Sequence, residues 1–197
     1  MDAIDVRPLV GEALVAQLPA LAQLRIEVFR AYPYLYEGSL AYEREYLQGY
    51  ARTDGSVIVG AFEGERLIGA ATGTPLRAEP PSVQGCFVAC GDDPSQWFYF
   101  GESVLRSQYR GRGIGVAFFR EREAHARRLG YARTCFCAVV RPDDHPQRPP
   151  QWQALDDFWR RRGYAPLPGH VGDMRWRDVG DERETAKPMQ FWGRLLP

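Results

Sequence analysis

Six consecutive residues, Arg110-Gly111-Arg112-Gly113-Ile114-Gly115, lie between an aromatic, β-rich run and a long helix-forming run. Where a strand passes through a glycine-rich turn into a helix N-terminus, backbone amides converge and the helix dipole adds positive potential, so an anion binds. Glycine lets the backbone approach the anion without a Cβ in the way. Arg110 and Arg112 add charged donors. Phosphate is the natural guest. A P-loop is excluded because no Gly-Lys dipeptide occurs in the chain. A dinucleotide fingerprint needs a further glycine where the chain has Val116, and it would not follow an antiparallel hairpin so late in the sequence.

Glu102 is the second residue with chemical promise, a charged group in an otherwise aromatic and apolar strand. Desolvation there would raise its pKa and suit it to accept a proton, whereas a salt-bridged strand residue is the alternative. Cys86, Cys90, Cys135 and Cys137 form no CxxC pair and have no histidine at finger-like spacing, so packed, reduced thiols are expected and no metal. His125 falls in mid-helix and His170 in a Gly/Pro loop, which suits structural or solvated roles; His145 reads as a loop histidine. Arg160-Arg161-Arg162 shares a helix with Leu155, Phe158 and Trp159 and reads as a solvated, partly cofactor-facing patch rather than a nucleic-acid site.

These residues need a scaffold. Residues 4–7 read as a first strand, and residues 12–29 carry Leu14, Leu18, Leu21, Leu24 and Val28 at helical spacing, with a restart expected at Pro19. Tyr32, Tyr34, Tyr36, Tyr42, Tyr46 and Tyr50 follow in a loop and a second helix. Residues 56–63 and 67–74 form a hairpin across Gly64-Glu65-Arg66, followed by a loop over 75–94. A strand over 96–105 leads into the glycine turn, and a helix over 113–129 stops at Gly130. Next come a buried strand over 134–140, a loop with four prolines, a helix over 151–162 closed by Gly163, and strands near Met174-Arg175-Trp176 and Met189-Gln190-Phe191-Trp192. This order predicts an α/β (α+β) fold: a mixed, mostly antiparallel sheet of about seven strands with about four flanking helices.

A chain of 197 residues with 45% hydrophobic content builds one sizeable core, so a single domain over 1–197 is expected. Twenty-five basic residues, all arginine except Lys187, balance 25 acidic ones, and no net field favours nucleic acid or a membrane. No apolar stretch reaches membrane-spanning length, and the first residues carry Asp2 and Asp5 rather than a basic leader, so a cytoplasmic location is expected.

The glycine turn also resembles the (Gln/Arg)-x-x-Gly-x-(Gly/Ala) signature of the GCN5-related N-acetyltransferase (GNAT) superfamily. Ser103-Val104-Leu105 is similar to the end of that family's fourth strand, whose splayed backbone pairs with pantetheine. Residues 156–164, with Phe158, Trp159, Gly163 and Tyr164, resemble its late Phe-Tyr, three residues, Gly-Phe motif. The resemblance implies acetyl-CoA as co-substrate, no metal, and transfer of an acetyl or short acyl group to a primary amine of a small molecule by direct attack. A weakly catalytic acyl-CoA sensor is the alternative, and a homodimer is compatible with either. The implied cofactor-binding residues are Ser103, Val104, Leu105, Arg110, Gly111, Arg112, Gly113, Ile114, Gly115, Val116 and Trp159. The catalytic candidates are Glu102 and Tyr99, the latter standing where many relatives carry a basic carboxylate. Strand alternation puts those two on opposite faces unless a bulge intervenes. Trp159 occupies the position of the family's proton-donating tyrosine, so the thiolate departs to water or meets a hydroxyl from the tyrosine-rich segment.

Overall fold

A computed structural model describes residues 3–197. The elements run β1 (Ile4–Leu9), α1 (Gly11–Phe29), α2 (Leu40–Arg52), β2 (Val57–Glu63), β3 (Arg66–Pro75), α3 (Pro81–Ala89), β4 (Trp97–Tyr99), β5 (Ser103–Leu105), α4 (Ile114–Arg128), β6 (Arg133–Val139), α5 (Asp156–Arg160), β7 (Ala165–Trp176) and β8 (Thr185–Leu195). The sheet order is β1-β2-β3-β4-β6-β8-β7, with β5 also on β3. Every pairing is antiparallel except β4 with β6. The expected fold class stands, with eight strands rather than seven. Among the described residues no helix is long and apolar enough to cross a membrane.

Several boundaries differ from expectation for local reasons. Pro19 does not restart α1, which runs through it without a break. A proline lacks the N–H that would bond the carbonyl four residues earlier, and here the neighbouring turns and buried Leu18, Leu21 and Leu24 hold the helix. The stretch expected as loop contains α3, because Pro81 stands in the first turn, where no N–H is needed. The late helix is only Asp156–Arg160, since Trp152 closes a turn onto the Pro149 carbonyl and packs edge-on to Tyr32 with centroids 5.0 Å apart.

The most consequential difference is in the strand expected over 96–105. Tyr99 pairs with Thr74 and Ser103 with Ala71, so four steps on one strand oppose three on its partner. That single extra residue is a β-bulge, and it reverses which face each side chain takes. Before it, Phe98 and Phe100 pack with Phe118 and Phe119 of α4, while Trp97 and Tyr99 pack with Phe87 of α3. After it, Val104 joins Leu21, Leu24 and Leu47 of α1 and α2, while Leu105 packs on the α4 side.

Candidate active site

The bulge opens the sheet. The last bond between the two halves is the Phe100 N–H to the Cys135 carbonyl at 2.7 Å, and beyond it β5 stays with β3 while β6 continues with β8. The Thr72 N–H bonds the Glu102 carbonyl at 3.0 Å and the Arg106 N–H bonds the Ile68 carbonyl at 3.1 Å. Antiparallel alternation therefore turns the backbone of Val104 toward β3 and the amides of Ser103 and Leu105 toward the opening. Val104 was expected among the cofactor-facing residues; its backbone lies in the ladder and its side chain in the core.

Arg122 closes the rear of the opening. It is buried, and it donates to the carbonyls of Thr72 and Glu102, each at 3.2 Å, and to Ser103 Oγ at 2.9 Å. Its guanidinium lies 4.3 Å from the centroid of Phe100, and burial pulls its pKa down to about 10. One cation thus ties both sides of the bulge to α4. Sequence reading missed it, although an arginine at i+4 from Phe118 on the apolar stripe of α4 was the available signal.

At the N-terminus of α4 the glycines have separable causes. Gly111 and Gly113 have φ of +76° and +79°, and a Cβ on either would meet nothing within 4 Å, so backbone conformation, not crowding, selects glycine there. Gly115 has ordinary φ, and a Cβ there would lie 3.1 Å from Phe158. The first backbone bond of α4 runs from the Ala117 N–H to the Gly113 carbonyl, so the amides of Ile114, Gly115 and Val116 have no acceptor within the helix. Ile114 anchors the turn in the core; Gly111, Gly113 and Val116 face solvent. Arg110 is exposed, and Arg112 lies over the Tyr109 ring at 5.1 Å while bonding the Gln108 carbonyl. These residues fit a pyrophosphate: free amides, left-handed glycines and two exposed arginines share one end of one helix.

Trp159, expected against the cofactor arm, is half-buried over β6 and β8. Its indole packs edge-on to Phe136 and Trp192, each with centroids 5.0 Å away, whereas Phe158 is the residue against Gly115. Arg160 and Arg162 lie over Trp192 and Phe158 at 5.2 and 3.5 Å, which accounts for two of the three consecutive arginines by packing.

On the opposite face, α1, α2 and the bulge bring together a polar cluster that the sequence does not announce. Arg25 is buried between Glu43 and Glu102 and makes an ion pair with each, with the Tyr46 ring 4.4 Å from its guanidinium. Burial opposes its charge, but Glu102, Tyr46 and Glu43 more than offset this and raise its pKa well above the ordinary arginine value. Glu102 also accepts from the Tyr46 hydroxyl at 3.0 Å. Tyr99 does reach the same face as Glu102, through the bulge, but its buried hydroxyl meets Cys137 Sγ at 3.1 Å. Burial pushes the Tyr99 hydroxyl well above its usual range and Cys137 up to about 12, so neither supplies a thiolate or phenolate near neutral pH.

The histidines have structural partners, and of the four thiols expected to be packed, Cys135 and Cys137 are buried whereas Cys90 is exposed. His125 Nε2 bonds the Gly55 carbonyl at 2.9 Å, His170 Nε2 bonds Asp92 at 2.9 Å, and His145 lies tilted against Tyr32 with centroids 5.6 Å apart. Among the described residues no group of three histidine, cysteine, aspartate or glutamate side chains is arranged to hold a metal ion.

An open sheet split at a bulge, with a glycine-capped helix at the mouth of the split, defines an acyltransferase of the acyl-CoA type. The chain matches the Acetyltransferase (GNAT) family over residues 19–149 and belongs to that family of N-acetyltransferases. Solved structures agree in fold at low identity. They include a ribosomal-protein-alanine N-acetyltransferase from Brucella melitensis (17% identity, 98% of this chain and 99% of that one, TM-score 0.62). A Salmonella typhimurium protein solved with its cofactor acetyl-CoA is 12% identical over 100% of this chain and 95% of that one, with TM-score 0.62. NAA60 of Arabidopsis thaliana, in complex with a bisubstrate analogue, is 14% identical over 99% of this chain and 100% of that one, with TM-score 0.65. No curated protein matches the chain in sequence.

Proposed function

We propose that the chain transfers an acetyl group from acetyl-CoA to a primary amine, by direct attack while both substrates are bound. The observation that carries this is the continuity of the split with the helix cap: outward amides at Ser103 and Leu105 lead to the free amides of residues 114–116. Ser103 and Leu105 would pair with the pantetheine arm as a strand would, and residues 110–116 would hold the pyrophosphate. A backbone donor at the base of the split would stabilise the charge that develops on a thioester carbonyl. The co-substrate supplies an activated acyl group; the protein supplies alignment, charge stabilisation and proton transfer.

The acceptor enters from the face of Arg25, Glu102 and the tyrosines. Glu79, which takes only the Tyr50 hydroxyl and has no cationic partner among the described residues, and the aromatic rings on that face favour a cationic amine head over an anionic one. The test is release of free thiol from acetyl-CoA across a panel of polyamines, amino acids, aryl amines and short peptides. Turnover with a member of the panel supports the reading, whereas acetyl-CoA binding with no thiol release from any member would overturn it.

A further inference from the structure

We propose that Glu79, held by Tyr50 at the rim of the sheet opening, takes the proton from the acceptor amine, and that Glu102 is a positioning residue. The inference rests on the acetyl transfer proposed above.

Three carboxylates gather on the acceptor face: Glu43, Glu102 and Glu79. Both Glu43 and Glu102 are buried and paired with Arg25, and Glu102 takes the Tyr46 hydroxyl as well. A carboxylate so paired must break an ion pair to accept a proton. Glu79 differs in each respect. It is partly exposed, its Oε1 accepts only the Tyr50 hydroxyl at 3.1 Å, and among the described residues it has no cationic partner.

Its backbone is fixed while its side chain has a free oxygen. The Glu79 N–H bonds the Leu76 carbonyl at 3.1 Å, and Gln84 of α3 donates to the Glu79 carbonyl at 2.6 Å. Tyr50 then sets where the carboxyl points. The Tyr50 hydroxyl rests on Gly101, inside the bulge: a Cβ at Gly101 would collide with it and lie 2.6 Å from Thr72 Oγ1. Glu79 is therefore one hydroxyl away from the residue at which the two half-sheets part.

Tyr50 from α2 touches it, and the titratable groups coupled to it are Tyr46 from α2, Glu102 and Tyr99 from the bulged strand, and Cys135 and Cys137 from β6. None of them is a cation. Burial, with Glu102 adding repulsion against the Tyr50 bond, brings the carboxyl to about 7, where a base both exists ionised and holds a proton. The balance is simple. The ammonium gives one proton to Glu79; the freed nitrogen bonds the thioester carbon as its C–S bond breaks. The second nitrogen proton goes to the departing sulfur, and Glu79 returns its own to solvent.

The test combines a direct titration with kinetics. Carboxyl-13C-glutamate NMR of the acetyl-CoA complex, with Glu79→Gln assigning the signal, is expected to show Glu79 titrating near neutrality; titration in the ordinary carboxylate range would overturn the proposal. With an amine that turns over, Glu79→Gln is expected to lower kcat about 100-fold or more, leave the KM for acetyl-CoA unchanged and remove the limb of the kcat/KM profile near neutrality. Glu79→Asp should restore part of the rate with a displaced limb. A Glu79→Gln enzyme that keeps the limb would also overturn it. If no amine in the panel is acetylated, the amine-acceptor reading fails by itself, because the titration needs no acceptor.

Discussion

Arg25 holds two buried carboxylates, Glu43 and Glu102, with a single guanidinium. Replacing it with methionine leaves Glu43 and Glu102 buried together without their cation, so the variant should lose about 3–5 kcal/mol in urea unfolding. Glu79 makes the opposite kind of contribution. Its folded pKa lies above its unfolded one, so the folded state binds the proton more tightly and stability falls as pH rises from the ordinary carboxylate range through about 7. Thermal midpoints between pH 5 and 8 should show that decline in the natural protein and less of it in Glu79→Gln. Single residues were unevenly legible. The glycine turn was visible because its φ demands leave few residue choices. Arg25 was hidden inside an apolar helical stripe, at i+4 from Leu21, and its partner Glu43 inside a tyrosine-rich one. Opposite charges on the buried faces of successive helices were the signal, but only the fold shows that they meet at Glu102.

At the scale of elements, the bulge and the left-handed cap set the site. Gly113→Ala is expected to cost about 1–2 kcal/mol, from the positive φ alone, and to weaken CoA binding in calorimetry. Gly101→Ala, whose Cβ would displace Tyr50 or Thr72, should reduce turnover more than it reduces CoA affinity, since it strikes the acceptor side of the opening. Helix α4 was predicted to within a residue at each end because Gly113 and Gly130 punctuate it. The bulge was not readable, since Trp97-Phe98-Tyr99-Phe100 continues into Ser103-Val104-Leu105 with no break in β propensity. A count of pairs on β3 was needed to reveal the extra residue. The short α3 went unread because adjacent prolines look like a loop until one of them is seen to start a helix.

For the molecule as a whole, the family match ends at residue 149, whereas β8 lies between β6 and β7 with Phe191 and Trp192 buried. A fragment of residues 1–149 would expose that flank of β6 and should fail to give a dispersed NMR spectrum. Acetyl-CoA at 100 times its Kd should stabilise the full chain by about 2.7 kcal/mol, raising the thermal midpoint by roughly 5–10 °C. Fold class was legible because element order constrains topology; the split was not, because it arises from pairing. That split has one further consequence. The outward amides of β5 form an unpaired strand edge, the kind of surface that invites other chains to add strands and aggregate. Here the edge is only Ser103–Leu105, three residues on the half-sheet that Arg122 ties to α4. An edge of three residues offers another chain too few bonds to add a lasting strand, so its shortness limits association through the opening.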